Sequence, residues 1–298
     1  MSKYYLTMEM GGTNLRYAIV DEEFRLIDFL KVPTRELAKA ENKVDFIYGI
    51  LEPIIIALGK ENIICISFAL ASLMDRDRTI IYSSPMVSGF NNIPLKAELE
   101  KRLSLPVFME KDVNSLLLYE MRKQRFSAEG IAVGVFIGTG LGNAMCINGK
   151  IYKGNSGTAC ELGHIPVPYL EKECGCGKKG CIETLACGNI LAKLAVDKYK
   201  CDVRDIFTLH RKESDVLDIV NNSAIACATE FTILDPELVI IGGGVTQMND
   251  FPYEYFINKI KENLRFPNPR NSIVFLKASE DAQAGVIGAA INAYQLME

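Results

Sequence analysis

The run Met10-Gly11-Gly12-Thr13 is answered about 127 positions later by Ile137-Gly138-Thr139-Gly140. Each sits between apolar runs. Leu6–Met10 leads into the first, Leu15–Val20 leaves it, and Phe24–Lys31 follows a polar turn at Asp21-Glu22-Glu23. Ile131–Ile137 leads into the second, Asn143–Asn148 leaves it, and Gly149-Lys150 opens another hairpin. Short apolar runs broken by glycine read as strand, turn, strand. A repeat this long is no solenoid period. It predicts a duplicated α/β lobe, with the two glycine turns facing each other.

The rest of the pattern fits that frame. Phe46, Ile50, Ile54 and Leu58 recur at helical spacing, as do Val216, Val220, Ala224, Cys227, Phe231 and Leu234. Ile63–Phe68, Pro106–Met109, Glu237–Ile241 and Ser272–Leu276 read as further strands. Helices are predicted over Pro94–Arg102, with proline at an early position, and from about Val113, with Leu116, Leu117 and Met121 on one face. A last helix, Ala284–Leu296, opens with small residues and is expected to cross back to the first lobe.

Composition narrows the function classes. Of 298 residues, 49% are hydrophobic, enough to bury a large core and exclude a disordered chain. A net charge of −4, from 33 basic and 37 acidic side chains, gives no footprint for nucleic acid and no polybasic membrane patch. No stretch approaches the ~18 apolar residues of a membrane span. Glu9 interrupts the N-terminus before an export signal can form. Nine cysteines without such a signal argue against a disulfide framework and point to the cytoplasm, where clustered cysteine means metal.

Glycine lets a backbone approach phosphate closely and aim its N–H groups at it. Thr13 and Thr139 add hydroxyls. Either turn alone is as readily an ordinary hairpin; two at matched places favour a triphosphate held between them. Neither has the Gly-Lys-Ser/Thr of a P-loop or the Rossmann glycine spacing. Gly242-Gly243-Gly244, after a buried strand, reads equally as an approach for adenine or ribose and as a tight strand-to-helix turn.

His164, Cys174, Cys176 and Cys181 have the spacing H-x9-C-x-C-x4-C. Three thiolates and an imidazole make a closed tetrahedral Zn²⁺ site, structural rather than catalytic. Gly175, Gly177 and Gly180 let the backbone wrap a small ion. Cys65, Cys146, Cys160, Cys187, Cys201 and Cys227 lack ligand spacing and read as packing residues. Glu161 and Glu183 flank the ligands, so a metal would pin both carboxylates at one place, where they can accept a polyol's hydroxyls. His164 can give one ring nitrogen to zinc and the other to a substrate hydroxyl. Asp112, between a strand and a helix, reads by position as an N-cap. Its functional reading is a base that orients a hydroxyl toward a γ-phosphate, where positioning does most of the catalysis.

Taken together, Gly11-Gly12-Thr13, Gly138-Thr139-Gly140-Leu141-Gly142, Glu161-Leu162-Gly163-His164, the Cys174–Glu183 segment and Gly242-Gly243-Gly244 resemble the ROK family of sugar kinases and repressors over nearly the whole chain. The resemblance implies an actin-like, hexokinase-like fold of two lobes closing over sugar and ATP. The first lobe would span residues 1–116 plus 285–298 and the larger second lobe 117–284. It implies Asp112 as the base, and Glu161, His164 and Glu183 on the sugar. It implies zinc on His164, Cys174, Cys176 and Cys181. ATP phosphates would lie on Gly11, Gly12, Thr13 and Asn14 and on Gly138, Thr139, Gly140 and Gly142, with Gly242, Gly243 and Gly244 beside the nucleoside and Mg²⁺ travelling on the nucleotide.

Three positions depart from the family pattern. Glu9 stands where Asp is usual, with its reach shifted toward a Mg²⁺-bound water. Lys111 precedes the base where Asn is usual, and Pro85-Met86 replaces Pro-Asn. Two amides that would bond a sugar are thus missing, which argues against plain glucose. Lys111, Phe68-Ala69-Leu70 and the segment with Leu234-Asp235-Pro236 and the three glycines look more like D-allose kinases. The expected activity is phosphorylation of a hexose 6-hydroxyl, D-allose first, with glucose or another hexose or N-acetylhexosamine as the alternative. A sugar-sensing repressor would need a winged helix before the first turn, and Gly11 leaves no room for one; a catalytically silent sugar binder is the other reading. A homodimer is expected.

Overall fold

The computed structural model describes residues 2–84, 87, 89–126 and 129–298. The chain forms two compact units, Met1–Phe126 with Lys153–Ala159 and Asp281–Glu298, and Ser127–Tyr152 with Cys160–Glu280.

The first unit contains β1 (Tyr4–Met10), β2 (Asn14–Asp21), β3 (Leu26–Pro33), α1 (Thr34–Lys39), α2 (Lys43–Leu58), β4 (Ile63–Leu70), the short pair β5 (Leu73–Met74) and β6 (Ile81–Ser83), α3 (Leu95–Leu103), β7 (Val107–Lys111) and α4 (Asp112–Lys123). Its five-stranded sheet runs β3-β2-β1-β4-β7. β1 pairs antiparallel with β2, β2 with β3, and the β1, β4 and β7 ladder is parallel. Side chains alternate between the faces of a strand. Leu6, Met8 and Met10 of β1, with Ile66, Phe68 and Leu70 of β4, pack on the core that includes Ile47 and Leu51 of α2 and Leu99 of α3. Tyr5 and Cys65 lie on the opposite face.

The second unit contains β8 (Ile131–Ile137), β9 (Leu141–Ile147), β10 (Lys150–Ile151), α5 (Gly188–Leu194), a π-turn over Ala195–Tyr199, α6 (Ile206–His210), α7 (Ser214–Leu234), β11 (Leu238–Gly242), α8 (Tyr253–Asn263) and β12 (Val274–Lys277). Its sheet runs β10-β9-β8-β11-β12. The first two pairings are antiparallel and the last two parallel. Strand for strand this is the arrangement of the first sheet, so the duplicated α/β architecture expected from the two glycine turns is present. Val133, Val135 and Ile137 of β8 and Val239 and Ile241 of β11 pack with Val216, Phe231 and Phe256.

The final helix, α9 (Ala284–Met297), belongs to the first unit. Val286, Ala290 and Ala293 pack on Tyr5, Ala18, Val20 and Cys65, and Ser67 Oγ donates to Ala289 O at 2.7 Å. A Cβ on Gly288 would lie 2.0 Å from Ser115 O, so α9 meets α4 backbone against side-chain-free helix. The expected division between residues 116 and 117 falls inside α4, the helix that makes this contact. α4 is whole in the first unit, held there by Gly288 and by the Tyr119 hydroxyl on Asp281.

Some local expectations shift. In α2 the deepest stripe is Val44, Ile47, Leu51 and Ile55; Phe46, Ile50, Ile54 and Leu58 flank it, half-buried. Asn42 caps that helix, accepting from Val44 N at 2.9 Å and Asp45 N at 3.1 Å. No helix among the described residues is long and apolar enough to cross a membrane.

Candidate active site

In the first unit, the glycine turn joins β1 to β2. Gly11 N donates to Asn14 O at 3.1 Å, Thr34 N donates to Thr13 O at 2.9 Å, and the Thr34 hydroxyl donates to Gly11 O at 2.7 Å. Thr34, buried at the start of α1, is a support for the turn that glycine spacing did not reveal. Gly12 and Thr13 are exposed, open to a ligand.

Glu9 pairs across the β1–β2 ladder with Arg16, whose Nη1 lies 2.8 Å from Glu9 Oε2. Its carboxyl packs on the first turn of α9, where a Cβ at Gly285 would come within 2.4 Å of it. Burial raises its pKa; Arg16 opposes the rise and the Asp112 charge adds to it.

Asp112 stands where β7 meets α4. Lys111, not Asp112, is the N-cap, and its side chain makes no capping bond. Asp112 is the first helical residue, with Oδ1 2.9 Å from Val113 N, so the N-cap reading of it is corrected. The placement sets its carboxylate at the positive end of the helix dipole. Lys111 is buried, and its Nζ donates to Ala159 O at 3.3 Å.

Immediately before them lies a feature the sequence reading missed. Glu110 is fully buried, and its Oε1 accepts from Arg78 Nε at 2.8 Å, Asn114 Nδ2 at 2.9 Å and Lys111 N at 2.9 Å. Lys153 Nζ lies 3.4 Å from Oε2. Burial works against its charge, but Arg78 and Lys153 outweigh that and hold the carboxyl below its usual range. Arg78 adopts φ +57, a left-handed conformation uncommon for a side-chain-bearing residue, and also donates to Gly157 O at 2.8 Å. The only signal in the sequence was the Asp75-Arg76-Asp77-Arg78 turn, which reads as surface charge. Pro85 and Met86 lie outside the described residues.

In the second unit, the glycine turn joins β8 to β9 at the matched place. Gly188 N and Asn189 N, opening α5, donate to Gly138 O at 2.8 Å and Thr139 O at 3.1 Å. Gly243 (φ +95) packs so closely on Ile137 that a Cβ would lie 2.5 Å from its backbone, and Val245 N donates to Ile137 O at 2.9 Å. The Gly242–Gly244 run therefore adjoins the end of β8 where the second turn begins. Of its two readings from sequence, the tight turn is present in the backbone.

His164, Cys174, Cys176 and Cys181 converge, with their ligand atoms all within 4.8 Å of one another. His164 Nδ1 is 3.6 Å from Cys174 Sγ, and Cys176 Sγ is 3.5 Å from Cys181 Sγ. Among the described residues the group has these four members, and four donors of this chemistry fit a closed tetrahedral zinc site. Nδ1 faces the thiols, and Nε2 lies 3.7 Å from Glu161 Oε2. Glu183 Oε2 accepts from Leu141 N, in the glycine turn, at 2.9 Å. The remaining cysteines are buried or half-buried, as packing residues should be.

The sequence profile of the ROK family matches residues 5–295. A glucokinase of Thermotoga maritima is 26% identical over 304 residues, covering 95% of each chain. An N-acetyl-D-glucosamine kinase of Vibrio cholerae is 28% identical, covering 96% of this chain and 98% of that protein. The crystal structure of a ROK family glucokinase from Streptomyces griseus, in complex with glucose and AMPPNP, superposes with a TM-score of 0.77 at 26% identity, covering 98% and 99% of the two chains. With its duplicated α/β sheets and a match across nearly its whole length, this protein belongs to the ROK family and has that family's hexokinase-like fold.

Proposed function

We propose that the chain is an ATP-dependent sugar kinase that phosphorylates the 6-hydroxyl of a hexose. One observation carries the reading: family membership across residues 5–295, with an aspartate at the β7–α4 junction. The curated relatives named as glucokinase and N-acetyl-D-glucosamine kinase support it. In this proposal Asp112 accepts the proton of the attacking hydroxyl as the new O–P bond forms and the bond to the ADP oxygen breaks. Gly11, Gly12, Thr13 and Asn14, with Gly138, Thr139, Gly140 and Gly142, donate to the phosphates, and Gly242–Gly244 border the nucleoside. Mg²⁺ bound to ATP would offset phosphate charge, and Glu9 would accept from a water on that ion. Glu161, His164 and Glu183 bind sugar hydroxyls, and Lys111 borders the sugar. His164, Cys174, Cys176 and Cys181 would hold zinc, whose contribution is to fix the turns that carry those carboxylates. A cytoplasmic homodimer that binds no nucleic acid completes the proposal.

For the acceptor we propose D-allose first, on the strength of Lys111 before the base. The glucose and N-acetylglucosamine of the relatives' names fit equally well. An ADP-release assay over aldohexoses and N-acetylhexosamines, on folded zinc-loaded protein, ranks them. Turnover on at least one sugar is expected; none on any would remove the kinase reading. Lys111→Asn should raise kcat/KM for glucose relative to allose by about tenfold, the scale of one hydrogen-bonding mismatch. An unchanged ranking would show that Lys111 does not set the preference.

A further inference from the structure

Glu183 follows the proposed ligand Cys181 by two residues, in the turn Ile182–Thr184. Its side chain runs to the second glycine turn. Oε2 accepts the Leu141 N–H at 2.9 Å. A Cβ on Gly140 would lie 2.4 Å from that same oxygen. A Cβ on Gly163, in the motif that carries His164, would lie 3.0 Å from it and 2.7 Å from Leu141 O. Three segments thus close on one carboxylate oxygen: the metal-ligand turn, the Glu161–His164 motif and the hairpin Gly138–Gly142.

A role on a sugar alone does not account for this placement: the Leu141 N–H takes one lone pair of Oε2, and Oε1 is left for a sugar hydroxyl. The placement is also costly for a phosphate site, since a carboxylate beside bound phosphate repels it. A glycine-rich hairpin has many backbone conformations to lose on binding. A hydrogen bond to its fourth residue removes some of that freedom before the ligand arrives, which offsets the repulsion.

We propose that Glu183 is a positioning residue for the nucleotide: it transmits the geometry of the His164/Cys174/Cys176/Cys181 group to the hairpin Gly138–Gly142, so that metal loading tightens nucleoside di- and triphosphate binding. The inference rests on the kinase reading of the same hairpin. Glu183→Gln keeps an oxygen that can accept from Leu141 N and removes the charge; Glu183→Ala removes both.

Calorimetric titration of the zinc-loaded full chain with Mg·ADP tests it, glucose being titrated separately. Glu183→Ala should weaken ADP binding about tenfold or more, the scale of a lost hydrogen bond to a charged group, and Glu183→Gln should restore it to within about threefold. Removing the metal under conditions where circular dichroism is unchanged should weaken ADP binding similarly, and zinc should restore it. ADP affinity unchanged in Glu183→Ala, or unchanged on metal removal, would overturn the proposal. So would weakening confined to glucose, which assigns Glu183 to sugar only. If Glu183→Ala fails to fold, loss of ADP binding in Glu183→Gln as large as tenfold overturns it too. A wild-type protein that binds no ADP would instead remove the kinase reading on which it rests.

Discussion

Glu230, on α7, sits in an environment that is unusual for a carboxylate. Burial raises its pKa to about 7, only partly opposed by the hydrogen bond from Asn143 Nδ2. Its Oε2 has no hydrogen-bond partner among the described residues. Asn143 Oδ1 in turn accepts from Leu162 N at 2.9 Å, in the Glu161–His164 motif. A carboxyl whose folded pKa lies above its unfolded value holds more protons folded than unfolded between the two. Stability from this group is therefore greatest below about pH 4.5, falls as pH rises toward 7, and is lost above it, by about 3 kcal/mol in all. Glu230→Gln, which keeps an acceptor for Asn143, should be more stable than wild type at pH 8 and close to it at pH 5. Urea unfolding at the two values reads this; an equal difference between the proteins at both would contradict it. Nothing in the sequence marked Glu230, because its apolar neighbours on α7 come into place only when the helix packs. Arg78 and Glu110 escaped for the same reason: 32 positions apart, they meet only through the β5–β6 turn and β7. The Cys/His group was legible because its ligands sit close in sequence.

At the scale of elements, glycine has opposite meanings in two helices. Gly49 lies in α2 with nothing within 4 Å of an added Cβ, whereas at Gly288 in α9 a Cβ would lie 2.0 Å from Ser115 O. Helix propensity alone favours alanine over glycine by about 1 kcal/mol. Gly49→Ala should therefore stabilise by about 0.5–1 kcal/mol. At Gly288 overpacking costs about 1–3 kcal/mol, and a collision with rigid backbone sits at the upper end, so the net effect is destabilising by about 1–2 kcal/mol. Thermal or urea unfolding of the two variants measures both; stabilisation by Gly288→Ala would mean that α4 and α9 do not pack as described. Sequence did reveal that α9 opens with small residues and returns to the first unit. It did not reveal the partner that needs them small. The α2 stripe was displaced for a related reason: its flanking apolar residues share the same 3.6-residue period, and only packing ranks them.

At the scale of the molecule, the two glycine turns carried most of the information. Each occupies the hairpin between the first and second strands of a five-stranded sheet, and the two sheets share one strand order. Neither the order of the parallel strands nor the inclusion of Lys153–Ala159 in the first unit was legible, since both depend on contacts distant in sequence. Three carbonyl and charge contacts hold that segment there: Lys153 to Glu110, Arg78 to Gly157 O, and Lys111 to Ala159 O. Two of them reach Glu110 and Lys111, the end of β7 that precedes Asp112.

The most direct measurement compares ADP formation by the wild-type chain and by Asp112→Asn, with ATP, Mg²⁺ and the best acceptor sugar, alongside sugar binding by calorimetry. The variant should lose about 10²–10⁴-fold in kcat, the usual contribution of a positioned base, while binding the sugar as wild type does. Near-normal turnover by Asp112→Asn would contradict phosphoryl transfer organised around this aspartate.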